Sequence, residues 1–128
     1  LCLDRYDGDL LDVQGTYLAP GGAFWVLDDN GVVRASAGLL PVSSSTVEIR
    51  RMYAESVIRG SGWAQNMLAV QLEWARSRGY TTMVAWSDVR FERAHAFYRK
   101  EGFVTEGEVR DCDDFSQPYQ ERRFFRRI

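Results

Sequence analysis

Arg59-Gly60-Ser61-Gly62-Trp63-Ala64 is the stretch on which the fold turns, because it follows a strand-like segment and opens a long amphipathic one. Glycines at 60 and 62 let the backbone turn tightly and expose successive N–H groups, and a helix starting at Trp63 adds about half a positive charge at its end. A phosphate or pyrophosphate fits such a cradle. A Walker loop is excluded, since it requires a Lys after its last Gly and the only lysine is Lys100. A dinucleotide fingerprint needs a third glycine where Gln65 stands, and no first βαβ unit with a suitably placed acid is evident.

After this turn, Trp63, Ala64, Met67, Leu68, Gln71, Leu72 and Ala75 recur at spacings of three and four, which predicts a helix ended by Gly79. Thr81 to Trp86 reads as a short strand. Phe91 to Lys100 reads as a second helix, with Ala94, Phe97 and Tyr98 on one stripe and Gly102 as its stop. Strands are expected at about Phe103 to Arg110 and Glu121 to Arg127, with Asp111, Asp113 and Asp114 in a loop between them. Before the turn, Phe24 to Leu27 and Val32 to Leu40 flank Asp28-Asp29-Asn30-Gly31, a hairpin signature. Val47 to Ala54 follows as a strand, with Glu48, Arg50, Met52 and Ala54 on one face unless a bulge breaks the parity. Leu10, Leu11, Val13, Tyr17 and Leu18 have roughly helical spacing and stop at Pro20-Gly21-Gly22. The order β-β-β-α-β-α-β-β implies an α/β (α+β) domain whose mixed sheet is flanked by helices.

The 128 residues are 45% hydrophobic, 13% aromatic and 27% charged, which suits one compact domain over residues 1–128 and rules out a solvated tail. A net charge of −2 argues against nucleic acid as the main partner. No apolar run approaches the roughly 20 residues that span a bilayer, and no secretory leader is visible, so a cytoplasmic protein without a membrane partner is expected. Cys2 and Cys112 lack companions at ligand spacing, so they read as plain thiols and no metal is expected. His95, the single histidine, reads as packed or solvent-facing rather than catalytic. Arg122, Arg123, Arg126 and Arg127 read as a solvated strand edge and tail, or else as a polyanion site.

Arg59-x-x-Gly62-x-Ala64 resembles the Arg/Gln-x-x-Gly-x-Gly/Ala signature with which the GNAT superfamily of N-acetyltransferases grips the pyrophosphate of acetyl-CoA. Glu48-Ile49-Arg50-Arg51-Met52-Tyr53-Ala54 resembles the family strand that pairs with the pantetheine arm. Ala94-x-x-Phe97-Tyr98-x-x-x-Gly102-Phe103 is similar to the family's Ala-x-x-x-Tyr-x-x-x-Gly-Phe segment. The three motifs stand in family order and cover about residues 22–110. The resemblance implies a GNAT-like, mostly antiparallel central sheet. It also implies acetyl-CoA as cosubstrate, bound by Met52, Tyr53, Ala54, Arg59, Gly60, Ser61, Gly62, Trp63, Ala64 and Phe91, with no metal. Ser87-Asp88-Val89-Arg90-Phe91 departs from the family, whose members usually carry Asn at the position of Phe91. The family's opening strand and helix pair have no counterpart before Leu10, so part of the N-terminal region is expected to be missing.

The implied reaction is direct attack of a primary amine, on a small molecule or peptide, within a ternary complex. Glu48 matches the family's general base; the other reading is a charge that orders the strand or binds substrate. Desolvation beside a sheet would raise its pKa as a base requires. If the strand splays after Met52, as in the family, the N–H of Ala54 is free to polarise the acetyl carbonyl. Tyr98 matches the general acid, since a phenol stays protonated at neutral pH; the other reading is a core tyrosine. Acceptor specificity is expected in the loops at Pro41 to Thr46 and Asp111 to Tyr119. The same fold with part of its acceptor site lost would instead serve as a non-catalytic acyl-CoA sensor or partner-regulating module. Exposed aromatic residues and a sheet edge at Glu121 to Arg127 would permit a homodimer.

Overall fold

The computed structural model describes residues 14–114 and 117–128. Its strands are β1 (Ala23–Asp29), β2 (Val32–Pro41), β3 (Thr46–Ala54), β4 (Thr82–Asp88), β5 (Val109–Asp114) and β6 (Gln117–Arg127). The helices are α1 (Trp63–Ser77), between β3 and β4, and α2 (Glu92–Lys100), after β4. The element order is the expected one. One sheet runs β1-β2-β3-β4-β6-β5, antiparallel at every junction except β3–β4. That parallel junction needs a long crossover, which α1 supplies.

Local chemistry fixes the boundaries. Asn30 and Gly31 both have positive φ (52° and 88°), the requirement of a two-residue type I′ hairpin, and the Gly31 N–H donates to Asp28 Oδ1 at 2.8 Å. Both helices end in a Schellman motif. At α1 the N–H groups of Gly79 and Tyr80 reach back to Arg76 and Ala75 carbonyls; at α2 those of Gly102 and Phe103 reach Arg99 and Tyr98.

Cross-strand partners share a face, which places Leu39, Val47, Ile49, Met83, Ala85 and Phe124 together on one side of the sheet. Leu68, Leu72 and Ala75 from α1 and Tyr98 from α2 join these residues in one buried core. Trp74 of α1 meets Trp25 edge-on at 6.0 Å, and Tyr98 lies 5.6 Å from Phe124. On the opposite face Tyr17, fully buried, covers Phe24 and Gly38; a Cβ at Gly38 would come within 2.8 Å of its ring.

Several expectations need correction. The helical reading at Leu10–Leu18 survives only as a π-helical turn over Gln14–Leu18, and positions 10–13 lie outside the described residues. The strand placed at Phe103 to Arg110 is Val109–Asp114 instead, and Val104 makes only an isolated bridge with Phe125. Asp111, Asp113 and Asp114 are therefore strand residues, paired with Gln120, Pro118 and Gln117 of β6, and Gln120 Nε2 donates to Asp111 Oδ1 at 3.1 Å. The segment Glu121 to Arg127 is not a sheet edge, since β6 lies between β4 and β5 and the edges are β1 and β5. Two of its arginines are engaged, Arg123 with Glu108 at 3.2 Å and Arg126, whose Nη1 donates to the Glu101 carbonyl at 2.9 Å, whereas Arg122 Nε is buried with no hydrogen-bond partner among the described residues. No helix among the described residues is long and apolar enough to cross a membrane.

Candidate active site

A bulge in β3 opens the sheet. The β2–β3 register slips between Gly38–Arg50 and Ser36–Tyr53, so three steps on β3 oppose two on β2. Arg51 absorbs the extra residue at φ 54°, and its carbonyl accepts from Ser36 Oγ at 2.9 Å. The bulge breaks the simple alternation. Glu48 and Arg50 stay on one face, whereas Ala54 pairs with Ala35 on the face of Leu39 and Met52 packs on the core.

The parallel ladder stops at Ile49–Ala85, three residues before the expected divergence at Met52, although β3 and β4 both run on. A cleft of about 470 Å³ fills the resulting gap. Ile49 and Met52 line it from β3, Trp86 and Asp88 from β4, and Phe91 and Tyr98 from around α2.

Two hydrogen-bond donors bear on this opening, Tyr98 in the cleft lining and the Ala54 N–H at the end of β3, outside that lining. The Glu55 N–H donates to the Arg34 carbonyl at 2.8 Å, so by antiparallel alternation Ala35–Ala54 is a non-hydrogen-bonded pair. The Ala54 N–H consequently points away from β2, toward the side where β4 has departed. Tyr98 is 8% exposed, and its hydroxyl has no hydrogen-bond partner among the described residues. Burial pushes its pKa up to about 12, so the phenol holds its proton throughout the neutral range.

The glycine turn has the expected geometry. Gly60 and Gly62 sit at φ 83° and 86°, Gly62 caps α1 without a side-chain partner, and the first bond across the cap runs from the Asn66 N–H to the Gly62 carbonyl at 3.1 Å. The N–H groups of Trp63, Ala64 and Gln65 thus lack intrahelical partners. A Cβ at Gly60 or Gly62 would meet nothing within 4 Å, so the space before this helix end is open. Two members of the turn are used internally: the Arg59 and Ser61 N–H groups bond the Ser56 and Ile58 carbonyls. Arg59 Nε also donates to the Ala54 carbonyl at 3.1 Å, tying the turn to the end of β3.

The structure brings Met52, Phe91 and Tyr98 into one cleft and leaves Tyr53 exposed opposite Ser36. Glu48 is not among the cleft's lining residues. Its carboxylate lies 3.7 Å from Arg50 Nε, on the face that by strand register also carries Trp86, Asp88 and Glu121. His95 is buried, with Nε2 2.9 Å from the Asp88 carbonyl and its ring 4.9 Å from Phe124, a packing role. Among the described residues no group of His, Cys, Asp or Glu is placed to hold a metal.

Sequence reasoning missed the cleft's far wall. Asp88, 6% exposed, uses both oxygens on Arg90: Oδ1 takes the N–H and Nε at 2.9 Å, and Oδ2 takes Nη2 at 2.6 Å. These bonds hold its carboxyl below the usual range despite burial. The Asp-x-Arg spacing beside Phe91 was a visible signal for this pair. Tyr119, also in the lining, ends the segment Asp111 to Tyr119 in which acceptor specificity was expected, whereas Glu121 had no signal, since only the β4–β6 register brings it opposite Asp88.

The family model described as the acetyltransferase (GNAT) family matches residues 3–103. N-acetyltransferase 8 of Rattus norvegicus is 30% identical over 106 residues, 78% of this chain and 48% of its own. The chain spans about half the length of the curated relatives it matches. A crystal structure of an acetyltransferase from Streptococcus agalactiae superposes with TM-score 0.81 at 20% identity, over 95% of this chain and 76% of that one. A GNAT family acetyltransferase from Elizabethkingia anophelis, with acetyl-CoA bound, gives 0.76 at 16% identity, over 100% and 88%. The superposed structures share the fold of this chain, and the family match extends through the glycine turn to Phe103; the chain belongs to the acetyltransferase (GNAT) family.

Proposed function

We propose that this chain transfers an acetyl group from acetyl-CoA to a primary amine of a small molecule or peptide, by direct attack within a ternary complex in the cytoplasm. The observation that carries this reading is the opening of β3 from β4 after Ile49–Ala85, which leaves the Ala54 N–H and the Tyr98 hydroxyl without strand or side-chain partners. The glycine turn fits the cosubstrate's pyrophosphate through the open space before it and the free N–H groups of Gly60, Gly62, Trp63 and Ala64. Arg59 adds positive charge beside them.

When bound, acetyl-CoA supplies the thioester whose acetyl group the amine takes. The Ala54 N–H donates to the carbonyl oxygen on which charge develops, a role that needs no side chain. Tyr98 provides the proton for the departing sulfur, and its high pKa lets it recover one afterwards. Met52 and Phe91 exclude water from the arm between turn and reacting carbon. Glu48, outside the lining, fits this scheme as a base acting through water or as an ordering charge.

A melt with and without saturating acetyl-CoA, followed by thiol release over an amine panel, tests the proposal. Stabilisation together with thiol release is expected. Stabilisation without release from any amine would favour an acyl-CoA sensor on the same fold, and a folded sample that gains nothing would remove the cosubstrate.

A further inference from the structure

Two carboxylates line the cleft, and they are in different states. Asp88 has both oxygens committed to Arg90. Glu121 is committed on one side only: Oε1 accepts from Arg110 Nε at 2.8 Å and Nη2 at 2.7 Å, and from Cys112 Sγ at 3.3 Å. Oε2 has no partner among the described residues. The side chain is 19% exposed, so it is fixed by these bonds yet open to the cleft. Arg110 is itself held in place, its guanidinium 4.4 Å from the Trp86 ring and within the field of Glu48.

We propose that Glu121 is the residue that receives the ammonium group of the acceptor, through the unpartnered Oε2. The assignment rests on the transferase reading above and names a residue and a chemistry for its acceptor side. A carboxylate anchored at one oxygen presents the other at a defined position, and a primary ammonium donates to it with charge assistance. Of the nearby cations, Arg110 is drawn also by Glu48 and Arg90 is matched by Asp88, while Arg51 lines the cleft from β3. Trp86, Tyr119 and Phe91 give the same cleft aromatic walls, which suit an amine carrying an apolar or aromatic substituent.

The test uses phenethylamine and its neutral analogue 2-phenylethanol, titrated by ligand-observed NMR into the 128-residue chain and into E121Q. Gln keeps the Oε1 acceptor for Arg110 and Cys112, so the fold should survive. The amine is expected to bind wild type more tightly than the alcohol, and E121Q should weaken the amine roughly tenfold to a hundredfold while leaving the alcohol unchanged. E121D, with its charge drawn back by one methylene, should lose less, and it carries the test should E121Q fail to fold. An amine that wild type binds no better than the alcohol, or that the variants bind like wild type, would overturn the assignment. Thiol release measured in parallel separates the two readings. If wild type releases no thiol with any amine while the variants still lose ammonium binding, the transferase function falls and the ammonium site stands.

Discussion

Replacing Gly62 by Asp separates the proposed cofactor cradle from the fold. Gly62 caps α1 at φ 86°, and an added Cβ would meet nothing within 4 Å, so the cost is conformational rather than steric. A non-glycine residue in the left-handed region costs roughly 1–2 kcal/mol. A negative charge at a helix N-terminus returns about 0.3–1 kcal/mol. The net loss is about 1 kcal/mol, or a fall of roughly 3–6 °C in Tm for a chain of this length. The same carboxylate stands before the N–H groups of Trp63 and Ala64, where the proposed function seats the pyrophosphate, and would repel it. Wild type with acetyl-CoA at about a hundred times its Kd gains about 2.7 kcal/mol, a Tm rise on the order of 10 °C. Differential scanning fluorimetry of both proteins should show the small fall in G62D and no rise with acetyl-CoA. A folded G62D that acetyl-CoA stabilises as much as wild type would refute the placement of the phosphates.

Tyr98→Phe should lower kcat by tenfold or more while the acetyl-CoA melt shift stays at its wild-type value, a combination that steady-state kinetics and fluorimetry check together. The same substitution changes alkaline stability. The folded-state pKa of about 12 exceeds the ordinary value near 10, so the contribution of the neutral phenol is complete below pH 10 and is lost as pH rises toward 12, about 3 kcal/mol in all. Denaturation of Y98F between pH 9 and 12 should therefore fall less steeply than that of wild type; parallel curves would sink the burial argument. At the acid end, Asp88 is held below its ordinary pKa by Arg90, so its contribution is present above about pH 4 and is lost as pH falls further. Arg90→Met should move the acid unfolding midpoint to higher pH, and an unmoved midpoint would show that the pair does not matter to the fold.

The sequence alone determined the element order, because its signals are local. Asn30-Gly31 requires positive φ at both residues, Gly79 and Gly102 terminate helices whose apolar stripes are regular, and Gly60 and Gly62 mark a turn that only glycine adopts without strain. The glycine turn and the place of Tyr98 on α2 were readable for the same reason, since their spacing along one segment carries the pattern. Only the tertiary structure decided the rest. The extra residue at Arg51 moves Met52 and Ala54 to the face opposite Glu48, and alternation along β3 cannot reveal that, because the slip is defined against Ser36 and Gly38 on β2. The acidic run after Val109 became a strand because β6 offered it partners, overriding the poor strand propensity of aspartate. Glu121 entered the cleft through its pairing with Asp88 and Arg110, residues distant in the chain and adjacent only once β6 lies between β4 and β5. Spacing within a segment is a property of the chain, whereas the register between segments is fixed by which faces the packed core buries.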